Sequence, residues 1–214
     1  MDADVITLTV DDKEIRAKEG ANLLQTCLEN DIYIPNLCYI EGMTEPPASC
    51  RLCFVEVEGE KSPVTSCTVQ IHTGMVVQTD TPAVRRLQRS ALQLLLSAHQ
   101  VDCGPCPANK KCELQRMARF LKVGLKPKAL ESLTKNSGPD EDHPCLLLYP
   151  DRCVRCGKCV YVCRTRHGRP HLTFAKRGLE TIISFYGETD VTQNPCETCL
   201  SCVEVCPVAA ITLK

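Results

Sequence analysis

The chain has 214 residues, 17 of them Cys, with 43% hydrophobic residues and a formal net charge of -1. This excludes a disordered chain, and it gives no basic excess for binding nucleic acid. The apolar runs, such as Leu94 to Leu96 and Leu146 to Leu148, are far below the ~18–20 residues of a membrane span. With 4% aromatics, no Trp and 14 Pro, small modules held partly by something other than apolar burial are expected.

Residues 1–80 read as β-rich with one helix. Val5 to Val10 alternates as a strand, Asp11-Asp12-Lys13 turns, and Glu14 to Ala17 returns. After Gly20, Ala21 to Asn30 places Leu23, Leu24, Cys27 and Leu28 on one helical face, so Cys27 is a core residue rather than a ligand. Strands follow at Phe54 to Val57 and Met75 to Gln78, with an irregular loop around Gly42 and Pro46-Pro47. Pro82 opens a helix carrying Val84, Leu87, Ala91, Leu94, Leu95 and Ala98 at helical spacing, and His99 follows its end. A second helix covers Glu113 to Leu121. Residues 123–148 have the composition of a linker, and 149–214 hold two similar Cys runs.

The start Met1-Asp2-Ala3-Asp4-Val5 has no basic or apolar leader, the Cys count is odd, and the Cys fall in C-x-x-C units. Ligation is favoured over disulfides, and a reducing compartment, the cytoplasm, is expected. Cys153-x-x-Cys156-x-x-Cys159-x-x-x-Cys163 and Cys196-x-x-Cys199-x-x-Cys202-x-x-x-Cys206-Pro207 each have the spacing of a bacterial ferredoxin, in which the fourth Cys ligates the other cluster. One [4Fe-4S] cluster is therefore expected on Cys153, Cys156, Cys159 and Cys206, and another on Cys196, Cys199, Cys202 and Cys163. Cys163 precedes Arg164 rather than Pro.

Cys38-x₁₁-Cys50-x₂-Cys53-x₁₃-Cys67 on a β-rich scaffold suits a [2Fe-2S] centre, with the Ala48-Ser49-Cys50-Arg51 loop turning backbone N–H groups towards the sulfurs. His99-x₃-Cys103-x₂-Cys106-x₅-Cys112 supplies three thiolates, and His99 is the best fourth ligand. A zinc site of three Cys and one His fits the same chemistry. Cys145 is left over once four ligands serve each of four clusters. The basic residues Arg152, Arg155, Lys158, Arg164, Arg166, Arg169, Lys176 and Arg177 read as a solvated face or as a docking surface. His143, His167 and His171 read as surface residues. Leu146 to Tyr149 packs within the module or against a partner.

These three motifs, in this order, resemble the N-terminal iron–sulfur region of the large peripheral-arm subunit of respiratory complex I. They are also similar to the N-terminal part of [FeFe]-hydrogenases and to the diaphorase-type iron–sulfur subunits of NAD(P)-linked hydrogenases and formate dehydrogenases. The resemblance implies an α+β chain: a β-grasp [2Fe-2S] ferredoxin domain (1–80), a helical segment holding a [4Fe-4S] cluster by one His and three Cys (81–122), a linker (123–148) and a bacterial-type 2x[4Fe-4S] ferredoxin domain of βαβ repeats (149–214). It implies one [2Fe-2S] cluster and three [4Fe-4S] clusters, one of them ligated by His and three Cys. The chain ends eight residues after Cys206, without the catalytic domains of the longer relatives. The expected role is an electron-wiring subunit between a flavin- and NAD(P)-binding iron–sulfur subunit and a terminal catalytic oxidoreductase subunit. No substrate site is visible. The alternative is a zinc-stabilised interaction module without redox activity.

Overall fold

The computed structural model describes residues 5–127, 130–134, 137–168, 171–185 and 196–214. Arg169 and the side chain of His167 lie outside the described residues. The chain divides into two compact units, Met1–Leu92 and Gln93–Lys214.

The first unit is a five-stranded sheet with a helix. Strands β1 (Val5–Val10) and β2 (Lys13–Lys18) form a hairpin in register Val10↔Lys13. Asp11 and Asp12 both take positive φ, 47° and 66°, the backbone that a two-residue turn needs to match strand twist. Helix α1 (Leu23–Glu29) starts two residues later than the periodicity suggests, because the Asn22 side chain caps it by accepting the Gln25 N–H at 3.1 Å. Strands β3 (Phe54–Val57), β4 (Val64–Thr65) and β5 (Val76–Gln78) complete the order β2-β1-β5-β3-β4. β1 and β5 are parallel, and the other pairings are antiparallel. This central parallel pair flanked by antiparallel neighbours, crossed by one helix, is the β-grasp arrangement.

Alternation along β1 turns Ile6, Leu8 and Val10 inward, and α1 buries Leu23, Leu24, Thr26 and Cys27. Cys27 is fully buried, as a core residue should be, and burial pushes its thiol up to about 12. Leu28 departs from the helical-face reading: it is 36% exposed, because the buried face rotates towards Thr26. Leu24→Ala, which empties a fully buried site, is expected to cost about 2–5 kcal/mol. Leu28→Ala should cost under about 1 kcal/mol. Denaturant midpoints of the two variants check the contrast, and equal losses would contradict the packing described.

Helix α2 (Pro82–Ser97) begins with Pro82 at a position where its missing N–H is no loss, and the Thr81 hydroxyl accepts the Val84 N–H at 3.2 Å. In the second unit, α3 (Glu113–Leu121) buries Leu114, Met117, Ala118 and Leu121, and it ends at Lys122 with φ 54°. Strand β6 (Leu146–Leu148) pairs antiparallel with β9 (Ile211–Leu213), and β7 (Leu172–Ala175) pairs with β8 (Ile182–Phe185). Helices α4 (Lys158–His167), α5 (Cys196–Cys199) and α6 (Ser201–Glu204) carry the two Cys runs. Leu146, Leu148, Leu172, Ile183 and Ile211 form one core with Cys159 and Cys163. Leu146 and Leu148 therefore pack within their own module.

Two side-chain expectations change. His143 is not a surface residue: it is 4% exposed, its ring lies 4.1 Å from that of Phe185, and Nδ1 accepts the N–H groups of Cys145 and Leu146 at 3.3 and 3.2 Å. It thereby satisfies the backbone just ahead of β6. His171 is half-buried against the second Cys run, not on an open surface. Two of the basic residues are engaged with their neighbours, whereas Arg164, Arg166, Lys176 and Arg177 are exposed, as a solvated face would have them. Arg155 donates to the carbonyls of Thr181 and Leu179, both at 2.9 Å, and Arg152 stacks 4.0 Å over Tyr149.

Candidate iron–sulfur sites

Among the described residues, no pair of the 17 Cys forms a disulfide. In the first unit Cys38, Cys50, Cys53 and Cys67 are all at most 6% exposed, and the sulfurs of Cys38 and Cys50 are 3.4 Å apart. The backbone explains the convergence. Ala48 and Arg51 take positive φ, 48° and 54°, which turns successive amides to one side. The N–H groups of Ser49 and Cys50 point at the Cys38 sulfur, that of Leu52 at Cys50 and that of Cys67 at Cys53. Asn22 Nδ2 fixes the Cys67 carbonyl at 2.6 Å, and Ser66 fixes that of Cys53 at 2.9 Å.

Amides aimed at buried sulfurs favour the thiolate. The Cys50 thiol hydrogen bond and these amides hold Cys38 well below an ordinary thiol, whereas Cys50 is raised by its bond to Cys38 and by burial. Cys53 and Cys67 repeat the pattern: Cys53 is lowered by its bond from Cys67, and Cys67 is raised. Four sulfurs this close cannot all ionise without a cation among them. The donor set therefore fits an iron–sulfur centre.

In the second unit His99 is half-buried, with Nδ1 2.9 Å from the Arg152 carbonyl. A carbonyl only accepts, so Nδ1 carries the proton and Nε2 keeps its lone pair for a metal. Burial lowers the pKa of the ring and keeps it neutral. Cys103, Cys106 and Cys112 lie within electrostatic reach of one another, and burial raises the Cys112 thiol.

The eight remaining sequence-derived ligands line two apolar cavities. The first is walled by Cys153, Cys156 and Cys159 from one run and by Cys206 from the other. The second is walled by Cys196, Cys199 and Cys202, and by Cys163 from the first run. The N–H groups of Arg155, His171 and Ala210 point at the sulfurs of Cys153, Cys163 and Cys206 at 3.4, 3.2 and 3.2 Å. Burial pushes Cys156 and Cys202 up to about 12. Metal binding at these cavities would displace the protons of such buried thiols. In each cavity the four thiols are a donor set of the kind an iron–sulfur cluster takes. Cys145 packs half-buried beside the second cavity without lining it.

The N-terminal 3–82 matches the 2Fe-2S iron-sulfur cluster binding domain, 88–125 matches the NADH-ubiquinone oxidoreductase-G iron-sulfur binding region, and 152–210 matches the 4Fe-4S dicluster domain. The chain is built of iron–sulfur domains. It is 31% identical over 211 residues to NADP-reducing hydrogenase subunit HndD of Solidesulfovibrio fructosivorans, covering 97% of this chain and 36% of that one. It is 32% identical over 217 residues to the mitochondrial NADH-ubiquinone oxidoreductase 78 kDa subunit of Neurospora crassa, covering 98% and 28%. The chain thus spans about a third of the length of these curated relatives. A solved chain of an NAD+-reducing [NiFe]-hydrogenase in the H2-reduced state superposes with a TM-score of 0.84 at 27% identity, over 98% of this chain and 87% of that one. The iron–sulfur protein described here is similar to iron–sulfur regions of NAD(P)-linked hydrogenases and of complex I. No described helix is long and apolar enough to cross a membrane.

Proposed function

We propose that the chain is an electron-transfer iron–sulfur subunit, relaying single electrons between a flavin- and NAD(P)-binding partner subunit and a terminal catalytic subunit of the hydrogenase, formate dehydrogenase or related type. The observation that carries this reading is the pair of apolar cavities, each walled by three Cys of one run and one of the other. The relatives named as hydrogenase and NADH oxidoreductase subunits supply the partner chemistry. A cytoplasmic location goes with this reading, since the clusters and thiols need a reducing compartment.

Three modules follow: 1–80, 81–122 and 149–214, with 123–148 connecting the last two and its end, strand β6, pairing into the last module. Cys38, Cys50, Cys53 and Cys67 would hold a [2Fe-2S] cluster. His99, Cys103, Cys106 and Cys112 would hold a [4Fe-4S] cluster. Cys153, Cys156, Cys159 and Cys206 would hold the third, and Cys196, Cys199, Cys202 and Cys163 the fourth. When bound, such clusters supply one-electron chemistry. The chain's own residues place the ligands and exclude water: Leu148, Val208 and Ile211 line the first cavity, and Leu146, Leu172 and Leu200 line the second. The amides aimed at sulfur stabilise negative charge there.

Anaerobically purified protein is expected to hold about 14 Fe and about 14 inorganic sulfides, from one [2Fe-2S] and three [4Fe-4S] clusters. Iron, sulfide and zinc assays on the same sample decide it. Colourless protein with zinc and no sulfide would replace this reading with that of a zinc-stabilised interaction module.

A further inference from the structure

We infer that Ser201, held by Arg166, is a positioning residue that raises the reduction potential of the cluster on Cys163, Cys196, Cys199 and Cys202. This rests on the ligand set proposed for the second cavity. Ser201 lies on α6 between Cys199 and Cys202, lines that cavity and is 8% exposed. Arg166 lies on α4, the helix that carries Cys159 and Cys163, and its Nη1 donates to Ser201 Oγ. The sulfur of Cys199 is 3.5 Å from the same oxygen, and the Cys199 carbonyl is 3.3 Å away.

Proton accounting gives the direction. A hydroxyl has one proton to donate and accepts through its lone pairs. The guanidinium can only donate, so it occupies a lone pair of Ser201 and leaves the hydroxyl proton for another acceptor. Among the described residues, the Cys199 carbonyl and the Cys199 sulfur are acceptors within reach. With a protonated Cys199 the thiol donates to the serine oxygen. While the thiol keeps its proton, the Ser201 hydroxyl donates to the Cys199 carbonyl at 3.3 Å. A cluster ligand has no thiol proton, so its anionic sulfur becomes the stronger acceptor and the hydroxyl donates to it instead. The cation behind the hydroxyl polarises it and strengthens that bond.

Reduction adds an electron to the cluster and negative charge to its sulfurs. A donor aimed at one of them favours the reduced state and raises the potential. Arg166 adds positive charge, but the residue is exposed, so solvent screens its direct effect. Most of the influence should pass through the hydroxyl. The internal repeat sharpens the assignment. Gly157 and Leu200 precede α4 and α6 with φ of 76° and 46°. The next residue is Lys158 in the first run and Ser201 in the second. The first cavity has no hydroxyl at this place, so the effect belongs to one cluster of the pair.

The test is an EPR-monitored redox titration of the intact protein carrying Ser201→Ala, Ser201→Thr or Arg166→Gln, with iron counted in each sample. Cys163→Ser marks which signal belongs to the second cavity. Ser201→Ala is expected to keep its iron and to lower the reduced-to-oxidised ratio of that one centre about three- to tenfold at fixed potential. Ser201→Thr should stay near wild type. Arg166→Gln should shift the same centre the same way by a smaller factor. A full iron count with unchanged midpoints in Ser201→Ala overturns the inference. If Ser201→Ala instead loses iron, Arg166→Gln decides: a shift supports the inference, and an unmoved midpoint overturns it. Failure of the ligand reading itself shows separately, as a signal at the second cavity that survives Cys163→Ser.

Discussion

Cys206→Ser is expected to remove about 4 Fe per chain, and the loss should fall on the cavity of Cys153, Cys156 and Cys159 rather than on the nearer residues of its own run. The physical reason is the fold. Cys206 ends the turn after α6, and the chain then enters β9, which pairs with β6 next to the start of the first run. This carries the Cys206 sulfur into the first cavity, where the Ala210 N–H holds it at 3.2 Å. The equivalent device holds Cys163 in the second cavity through the His171 N–H, also at 3.2 Å. Losing one thiolate leaves iron exposed to solvent at one corner, so the whole cluster should be lost or degraded.

Pairwise variants make the prediction decisive, because effects within one shared site do not add. Cys153→Ser with Cys206→Ser should lose about 4 Fe, no more than either alone. Cys206→Ser with Cys163→Ser should lose about 8 Fe, since each removes a different cluster. Ligation within each run would change the first outcome, since Cys153 and Cys206 would then serve different clusters and the pair would lose about 8 Fe; the second pair would lose about 8 Fe in either case. Iron and sulfide content with EPR of the dithionite-reduced protein reads the difference.

How much of this was legible in the sequence follows from the range of each interaction. The helix Glu113–Leu121 was readable because Leu114, Met117, Ala118 and Leu121 lie at helical spacing and pack on one side. The ferredoxin runs were readable because three of their ligands are separated by two residues, a constraint of local loop geometry. The β1–β2 hairpin was readable from alternation and its two Asp. What escaped depends on contacts distant in sequence. His143 follows Asp140, Glu141 and Asp142, so its neighbours suggest solvent. Its burial comes from Phe185, 42 positions away, and from backbone amides that no composition reveals. Leu146 to Leu148 is too short a run to tell a strand from linker until β9 pairs with it. The hairpin β7–β8 has strands of four residues each, too short to read alone, and it is set by their cross-strand pairing. Arg166 looked like one of many surface charges. Only the packing of α4 against α6 shows that its guanidinium reaches Ser201.

His99→Ala is expected to remove about 4 Fe from the His99, Cys103, Cys106 and Cys112 site and leave the other centres intact. Cys103, Cys106 and Cys112 are three thiols, one short of a closed set, and in the proposed ligand set the histidine would be the fourth. Its Nδ1–H is fixed on the Arg152 carbonyl at 2.9 Å, and burial keeps the ring neutral. A merely structural histidine would satisfy the same hydrogen bond, so the variant must be read by iron content and not by stability alone. His99→Cys carries the argument further. It replaces a neutral donor with an anionic thiolate, which disfavours the reduced state. The centre should refill with iron, and its midpoint should fall by at least about 59 mV, a tenfold change in the ratio of reduced to oxidised. Unchanged iron content in His99→Ala would remove the histidine from the ligand set. Refilled iron with an unmoved midpoint in His99→Cys would separate ligation from tuning and assign the potential to the surrounding dipoles instead.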